Sequence, residues 1–285
     1  MNDQAARLRE QLRNNSHRIS SKAIAVVSGK GGVGKSNFSL NFAISLCKRG
    51  KKVLLIDLDI GMGNIDVLLG SVTNLSIIDI FSKKMTIRDI MNIGPENLHY
   101  ISGGSAFSSI FSLDEEKLGL LLSQLEEATV DFDFILFDMG AGVSDQTLKL
   151  LRAMHEIIVI TTPEPTAITD GYAMIKHLIV DGNESDISII VNRSSSRSEG
   201  NSVASRLKQV IKHFMNVDIH FLGLIADDVI VRKAVIAQTP FLLFSSTSQA
   251  SKNIDDIARK YVNEQEVKEV SFSFIHRVKS LFLKR

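Results

Sequence analysis

The chain has 285 residues, 44% of them apolar, enough to bury a sizeable core in one large α/β domain or two small ones. Lysine and arginine (33) nearly balance aspartate and glutamate (32), and the net charge of +1 argues against nucleic acid as the main partner. The single cysteine, Cys47, rules out a disulfide framework or a cysteine-built metal site within one chain and reads as a small core residue.

The opening run MNDQAARLREQLRNN is too polar for a signal peptide, and no stretch has the length of a transmembrane helix, so a cytoplasmic location is expected. Wound as a helix, it places Ala5, Leu8 and Leu12 near one face with Arg7, Arg9 and Arg13 beside them. From Ala23 onward, short apolar runs alternate with helical patterns. The segments 23–27, 52–57, 98–102, 132–138, 156–162, 186–192 and 219–225 read as buried strands rich in β-branched residues. Amphipathic stretches at 35–49, 114–128, 145–153, 166–180, 201–214 and 246–262 read as helices. Such alternation implies one α/β domain, residues 23–262, with a mostly parallel central sheet, helices on both faces and ligands at the carboxyl ends of the strands. Residues 1–22 and 263–285 read as appendages, and NRSSSRSEGNS (192–202) as a polar loop.

Gly29-Lys30-Gly31-Gly32-Val33-Gly34-Lys35-Ser36 follows the first strand and opens the first helix, the context that gives the G-x-x-x-x-G-K-[ST] pattern structural meaning. The glycines let the backbone wrap phosphate oxygens with its N–H groups, and the helix N-terminus adds partial positive charge. In such a P-loop, Lys35 reaches the β- and γ-phosphates and Ser36 places its hydroxyl on Mg²⁺, with Val33 and Asn37 completing the cradle. Asp57 and Asp59 are two apart at the end of the second strand and project to one side. Phosphoryl transfer uses one carboxylate beside Mg²⁺ and one beside the attacking water. The run FDFILFDMGAG is an apolar strand ending in Asp138, a Walker B pattern whose carboxylate binds Mg²⁺ through water, and Gly140 and Gly142 supply mobile backbone after it. The strand at 186–192 carries no acid of the guanine-reading kind after it, whereas Asn192 can offer its amide to adenine, which favours ATP over GTP.

The early lysine makes the loop unusual. KGGVGK[ST] resembles the deviant Walker A motif of the MinD/ParA family of ATPases. That resemblance implies that Lys30 reaches the phosphates on the other subunit of an ATP-bound homodimer. It also implies that Asp59 orients the attacking water, that Asp57 holds a Mg²⁺-bound water, and that the cofactors are ATP/ADP and Mg²⁺. Family segments matching TTPEPTAITDGY and GLIADDVIVRKA further imply Glu164 near the partner's nucleotide, and Ala226 and Asp228 flanking adenine.

On a helix, Phe274, Ile275, Val278, Leu281 and Phe282 share one face, while Ser273, His276, Arg277, Ser280 and Lys284 share the other. From Val270 to the end there are four basic residues (Arg277, Lys279, Lys284 and Arg285) and no acid, after the polar linker NEQEVKE. This reads as an amphipathic membrane anchor rather than a helix packed back on the core. One such tail binds lipid weakly, and two on a dimer raise the effective concentration.

The front motif Asp3-Gln4-Ala5-x-x-Leu8-Arg9 resembles the DQAxxLR motif of the FlhG (YlxH/FleN) group of MinD-like ATPases, which control flagellar number and placement. That resemblance implies activation of the GTPase FlhF, with flagellar C-ring proteins as further partners and peripheral residence on the inner face of the cell membrane. A division-site MinD-type or a ParA-type DNA-segregation ATPase stands as the alternative. The near-neutral charge and apolar tail speak against DNA, and a lone cysteine cannot supply an iron–sulfur carrier.

Overall fold

A computed structural model describes residues 21–60, 63–104, 115–140, 142 and 145–265. The five residues of the front motif and the five apolar residues of the tail helix lie outside the described residues.

Eight strands form one sheet in the order β3-β4-β2-β5-β1-β6-β7-β8: β1 (Lys22–Val27), β2 (Val53–Leu58), β3 (Asn92–Ile93), β4 (His99–Ile101), β5 (Phe134–Met139), β6 (Glu156–Thr161), β7 (Asp186–Ser194) and β8 (His220–Ala226). All pairings are parallel except β3 with β4. β1, β2, β5 and β6 are buried along their whole length, as expected of parallel strands covered on both faces. The expected single mostly parallel α/β domain is the fold observed.

The helices are α1 (Lys35–Cys47), α2 (Ile65–Leu69), α3 (Ile77–Ser82), α4 (Glu115–Ala128), α5 (Asp145–Ala153), α6 (Pro165–Val180), α7 (Arg197–Met215), α8 (Val229–Ile236), α9 (Phe241–Phe244) and α10 (Gln249–Gln265). They build a core on each side of the sheet. On one side, Leu121, Leu151, Ile175 and Leu207 of α4–α7 pack on Ile135, Ile157 and Ile189. On the other, Phe38 and Phe42 of α1 and Ile254 and Tyr261 of α10 pack on Ile24, Leu55 and Leu136. Arg49, just beyond α1, bonds to Asp255 of α10 at 2.8 Å and fastens those two helices together.

The structure departs from the sequence reading in four places. β3 has two residues, too few to produce periodicity. Helices α2, α3, α8 and α9 are short and were not anticipated. The segment 192–202 is not a loop: β7 runs to Ser194 and α7 begins at Arg197. Ser196 accepts the Glu199 amide at 3.2 Å and Glu199 accepts the Ser195 amide at 2.7 Å, so this serine-rich run is a helix-starting box. Finally, α10 continues to Gln265, three residues into the stretch read as linker. Cys47 is half-buried, and burial pushes its thiol up to about 12, an unreactive state.

Candidate nucleotide site

β1 lies at the centre of the sheet between β5 and β6, so the loop that follows it emerges among the carboxyl ends of β2, β5 and β6. In α/β sheets this is where ligands bind. Gly34 takes a left-handed φ of 93° at the start of α1, and no side chain caps that helix, so its first amides remain directed at the loop. Gly31 and Gly32 have open space where a Cβ would be. Gly29 is different: a Cβ there would sit 2.0 Å from the carbonyl oxygen of Asp170 in α6. The loop is therefore seated against α6 at one end and open at its middle, the shape a polyphosphate needs.

Lys35 is buried and its Nζ lies 3.9 Å from Asp138 Oδ1. Ser39, one turn further along α1, donates to the same oxygen at 3.0 Å. Asp138 Oδ2 is buried with no hydrogen-bond partner among the described residues. Burial raises the Asp138 carboxyl above its ordinary range, while the Lys35 ammonium and the hydroxyls of Ser36 and Ser39 pull the other way. A buried oxygen with nothing to accept among the described residues, beside the half-buried Ser36, suits a water on a divalent cation. The residues present thus fit Mg²⁺.

Asp57 pairs in register with Asp138 on the adjacent strand. Its Oδ1 accepts the Asp59 amide at 2.9 Å, and its Oδ2 accepts those of Asn64 at 2.9 Å and Ile65 at 3.3 Å. Three of a carboxylate's roughly four lone-pair directions are therefore spent on its own loop. Burial, followed by the neighbouring Asp138, pushes its carboxyl up to about 7. Asp59 stands over the backbone after β5: its Oδ1 is 3.4 Å from the point a Cβ on Gly140 would occupy. The structure thus gathers Lys35, Ser36, Asp57, Asp59 and Asp138 at the carboxyl ends of β1, β2 and β5.

The remaining predicted residues lie around this centre. Lys30 reaches across the loop to Thr166 Oγ1 (3.0 Å) and Glu164 Oε2 (3.4 Å), at the start of α6. Asn192 donates to the Val33 carbonyl at 2.7 Å and accepts the Arg193 amide at 2.9 Å, so it braces the P-loop. Ala226 lines a cavity of about 470 Å³ between α7, β8 and α10. Asp228 caps α8 through Ile230 (2.9 Å) and also accepts the Ala250 amide at the start of α10 (3.2 Å). Asn37 follows Ser36 on α1 and its carbonyl accepts the Asn41 amide group at 2.8 Å.

Sequence reasoning missed Ser39 and Thr166. Ser39 was findable, since it lies four residues after Lys35 and so on the same helix face. Thr166 had no such signal.

A glycine-rich strand-to-helix loop, with its lysine on a buried carboxylate at the centre of a parallel sheet, defines a P-loop nucleoside-triphosphatase. The family model described as "ParA: NUBPL iron-transfer P-loop NTPase" matches residues 20–262, and the chain belongs to this ParA/MinD family of P-loop NTPases. Antiactivator FleN of Pseudomonas aeruginosa is 33% identical over 239 residues, covering 84% of this chain and 85% of that protein. Flagellum site-determining protein YlxH of Helicobacter pylori is 35% identical over 286 residues, covering 93% and 92%. Among solved structures, the septum site-determining protein MinD of Pyrococcus horikoshii, complexed with Mg-ADP, superposes with a TM-score of 0.73. It is 22% identical and covers 88% of this chain and all of that one, a likeness of fold.

Proposed function

We propose that this chain is an ATP-driven dimerisation switch that acts in flagellar number or placement. The observation that carries the reading is the pair of lysines on one loop: Lys35 buried on Asp138, and Lys30 held at the rim by Glu164 and Thr166. A buried lysine serves the bound triphosphate of its own chain, while a rim lysine is available to a second copy. The flagellar part rests on the two relatives named for flagellar roles.

In the hydrolysis this implies, the P-loop amides of Gly29 to Asn37 and the Lys35 ammonium hold the phosphates and neutralise charge developing in transfer. Mg²⁺, when bound, neutralises β- and γ-phosphate charge. Ser36 would hold it directly, and Asp138 and Asp57 through water. Asp59 orients the attacking water, and Lys30 of the second copy completes the charge balance. Glu164 lies at that dimer face, and Asn192, Ala226 and Asp228 border the adenine. Turnover is slow because the site is complete only in the dimer.

Dimerisation brings two tail helices together, so that Phe274, Ile275, Val278, Leu281 and Phe282 of each chain bind lipid, giving a cytoplasmic protein that is peripheral on the membrane in its ATP state. The front motif, Asp3, Gln4, Ala5, Leu8 and Arg9, engages and activates FlhF, and C-ring proteins are further partners. Liposome co-sedimentation with no nucleotide, ADP or ATP, using the full chain and one ending after α10, at Gln265, tests the reading. ATP-dependent pelleting of the full chain alone supports it, and nucleotide-independent pelleting contradicts it.

A further inference from the structure

Asp59 can orient a water only if its loop is held still, and the hydrogen bonds that hold it reach beyond Asp57. Gly103 and Gly104 follow β4 and press on the loop. A Cβ on Gly103 would lie 3.1 Å from both Asp57 Oδ1 and the Asp59 carbonyl oxygen, and Gly63 donates to the Gly104 carbonyl at 3.1 Å. This two-glycine turn is in turn fixed by Ser102, whose hydroxyl accepts the Gly104 amide at 3.2 Å and donates to Asp66 Oδ2. Asp66 lies in the first turn of α2, next to Ile65, whose amide Asp57 holds. Thr73 also donates to Asp66 Oδ2, at 2.7 Å.

Asp66 Oδ1 is also buried, with no hydrogen-bond partner among the described residues, a feature that calls for an explanation.

We propose that Ser102 and Asp66 are positioning residues for Asp59. The Asp66–Ser102 hydrogen bond sets the Gly103–Gly104 turn, and that turn fixes the backbone from which Asp59 reaches the attacking water. The inference rests on the reading of Asp59 given under Proposed function.

The test is steady-state ATP hydrolysis and nucleotide affinity of the full chain with Mg²⁺. Ser102→Ala is expected to lower kcat about ten- to hundred-fold, the scale of a misplacement near 1 Å, with KM for ATP changed less than about two-fold. Ser102→Thr, which keeps the hydroxyl, restores kcat. Asp66→Asn, close in shape, falls in the same direction and serves if Ser102→Ala does not fold. Wild-type kcat in a folded Ser102→Ala or Asp66→Asn variant overturns the proposal. So does parallel loss of ATP affinity, or a Ser102→Thr no better than alanine. Asp59→Ala measured alongside separates the two ideas. If Asp59→Ala is inactive while Ser102→Ala is fully active, only the positioning role fails; a fully active Asp59→Ala overturns both.

Discussion

Lys30 and Glu164 lie 134 residues apart in sequence, yet their charged groups meet at 3.4 Å within one chain. Both side chains are substantially exposed (42% and 60%), so the pair contributes at most about 1 kcal/mol and is easily exchanged for another partner of Lys30. Glu164 thus holds the rim lysine in place while leaving it free to leave. Lys30→Ala is expected to keep ATP binding, which Lys35 and the loop amides supply, but to lose ATP-dependent dimerisation. Equilibrium binding of a fluorescent ATP analogue, paired with light scattering, checks both halves. Normal ATP-dependent dimers of Lys30→Ala would remove its role between subunits.

The backbone at Gly140 leaves room for the Asp59 carboxylate, whose Oδ1 would lie 3.4 Å from a Cβ there. Asp59→Ala should bind ATP and dimerise yet turn over at least about a hundred-fold more slowly, because water orientation is lost while phosphate contacts stay. Its ATP-bound dimer should therefore accumulate. Single-turnover phosphate release measures this directly, and near-wild-type release contradicts it.

Glycines in one loop should respond differently to the same added methyl. At Gly29 a Cβ would meet the Asp170 carbonyl at 2.0 Å, whereas at Gly31 it would meet nothing within 4 Å. Without nucleotide, Gly29→Ala is expected to cost about 1–3 kcal/mol, with Gly31→Ala within about 0.5 kcal/mol of wild type. Urea unfolding of both variants decides this. Equal losses would mean that the loop is not seated on α6 as described.

Far from the nucleotide site, Lys22 meets Glu156 at 2.6 Å, and Glu156 also accepts from Tyr261 (2.7 Å) and Ser188 (2.6 Å). The Lys22 and Glu156 side chains are 8% and 5% exposed. Burial, then the adjacent Glu156, pushes the Tyr261 hydroxyl well above its ordinary range, so it remains a donor. Lys22→Met leaves a buried carboxylate without its cation and should cost about 3–5 kcal/mol. Tyr261→Phe, losing one hydrogen bond, should cost only about 1–2 kcal/mol. Chemical denaturation ranks them, and the reverse order would mean that the ion pair is not what holds β1, β6 and α10 together.

Hydrogen bonding from Arg49 holds the Asp255 carboxyl below its usual range. A depressed folded-state value means that the stabilisation is present above the unfolded value, about pH 4, and is lost as pH falls through the folded one. Asp255→Asn is therefore expected to be less stable than wild type at neutral pH, with the gap closing in acid below about pH 4. Thermal melts over that range test it; a gap that widens in acid would contradict the assignment.

The parts of this site that were legible in the sequence share one property: their geometry is local. The P-loop depends on spacing within one turn, and Asp57 and Asp59 on the two-residue strand period. Asp138 depends on ending an apolar run, since β5 happens to lie beside both β1 and β2. What could not be read depends on how a loop closes on itself or on contacts across the fold. Nothing in the run IDLDIG announces that Asp57 will spend its oxygens on Asp59, Asn64 and Ile65. Asn192 was read for its adenine-compatible amide, but its observed partner is the carbonyl of Val33, 159 residues away. The start of α7 was local and was still missed, because serine content masked the Ser196–Glu199 box.

The central claim is that a bound triphosphate joins two copies of this chain. Light scattering of this 285-residue chain saturated with a non-hydrolysable ATP analogue and Mg²⁺ measures it most directly. The expected mass is twice the 31.5 kDa of one chain, returning to one chain with ADP. A mass that stays at one chain under saturating analogue would contradict the account.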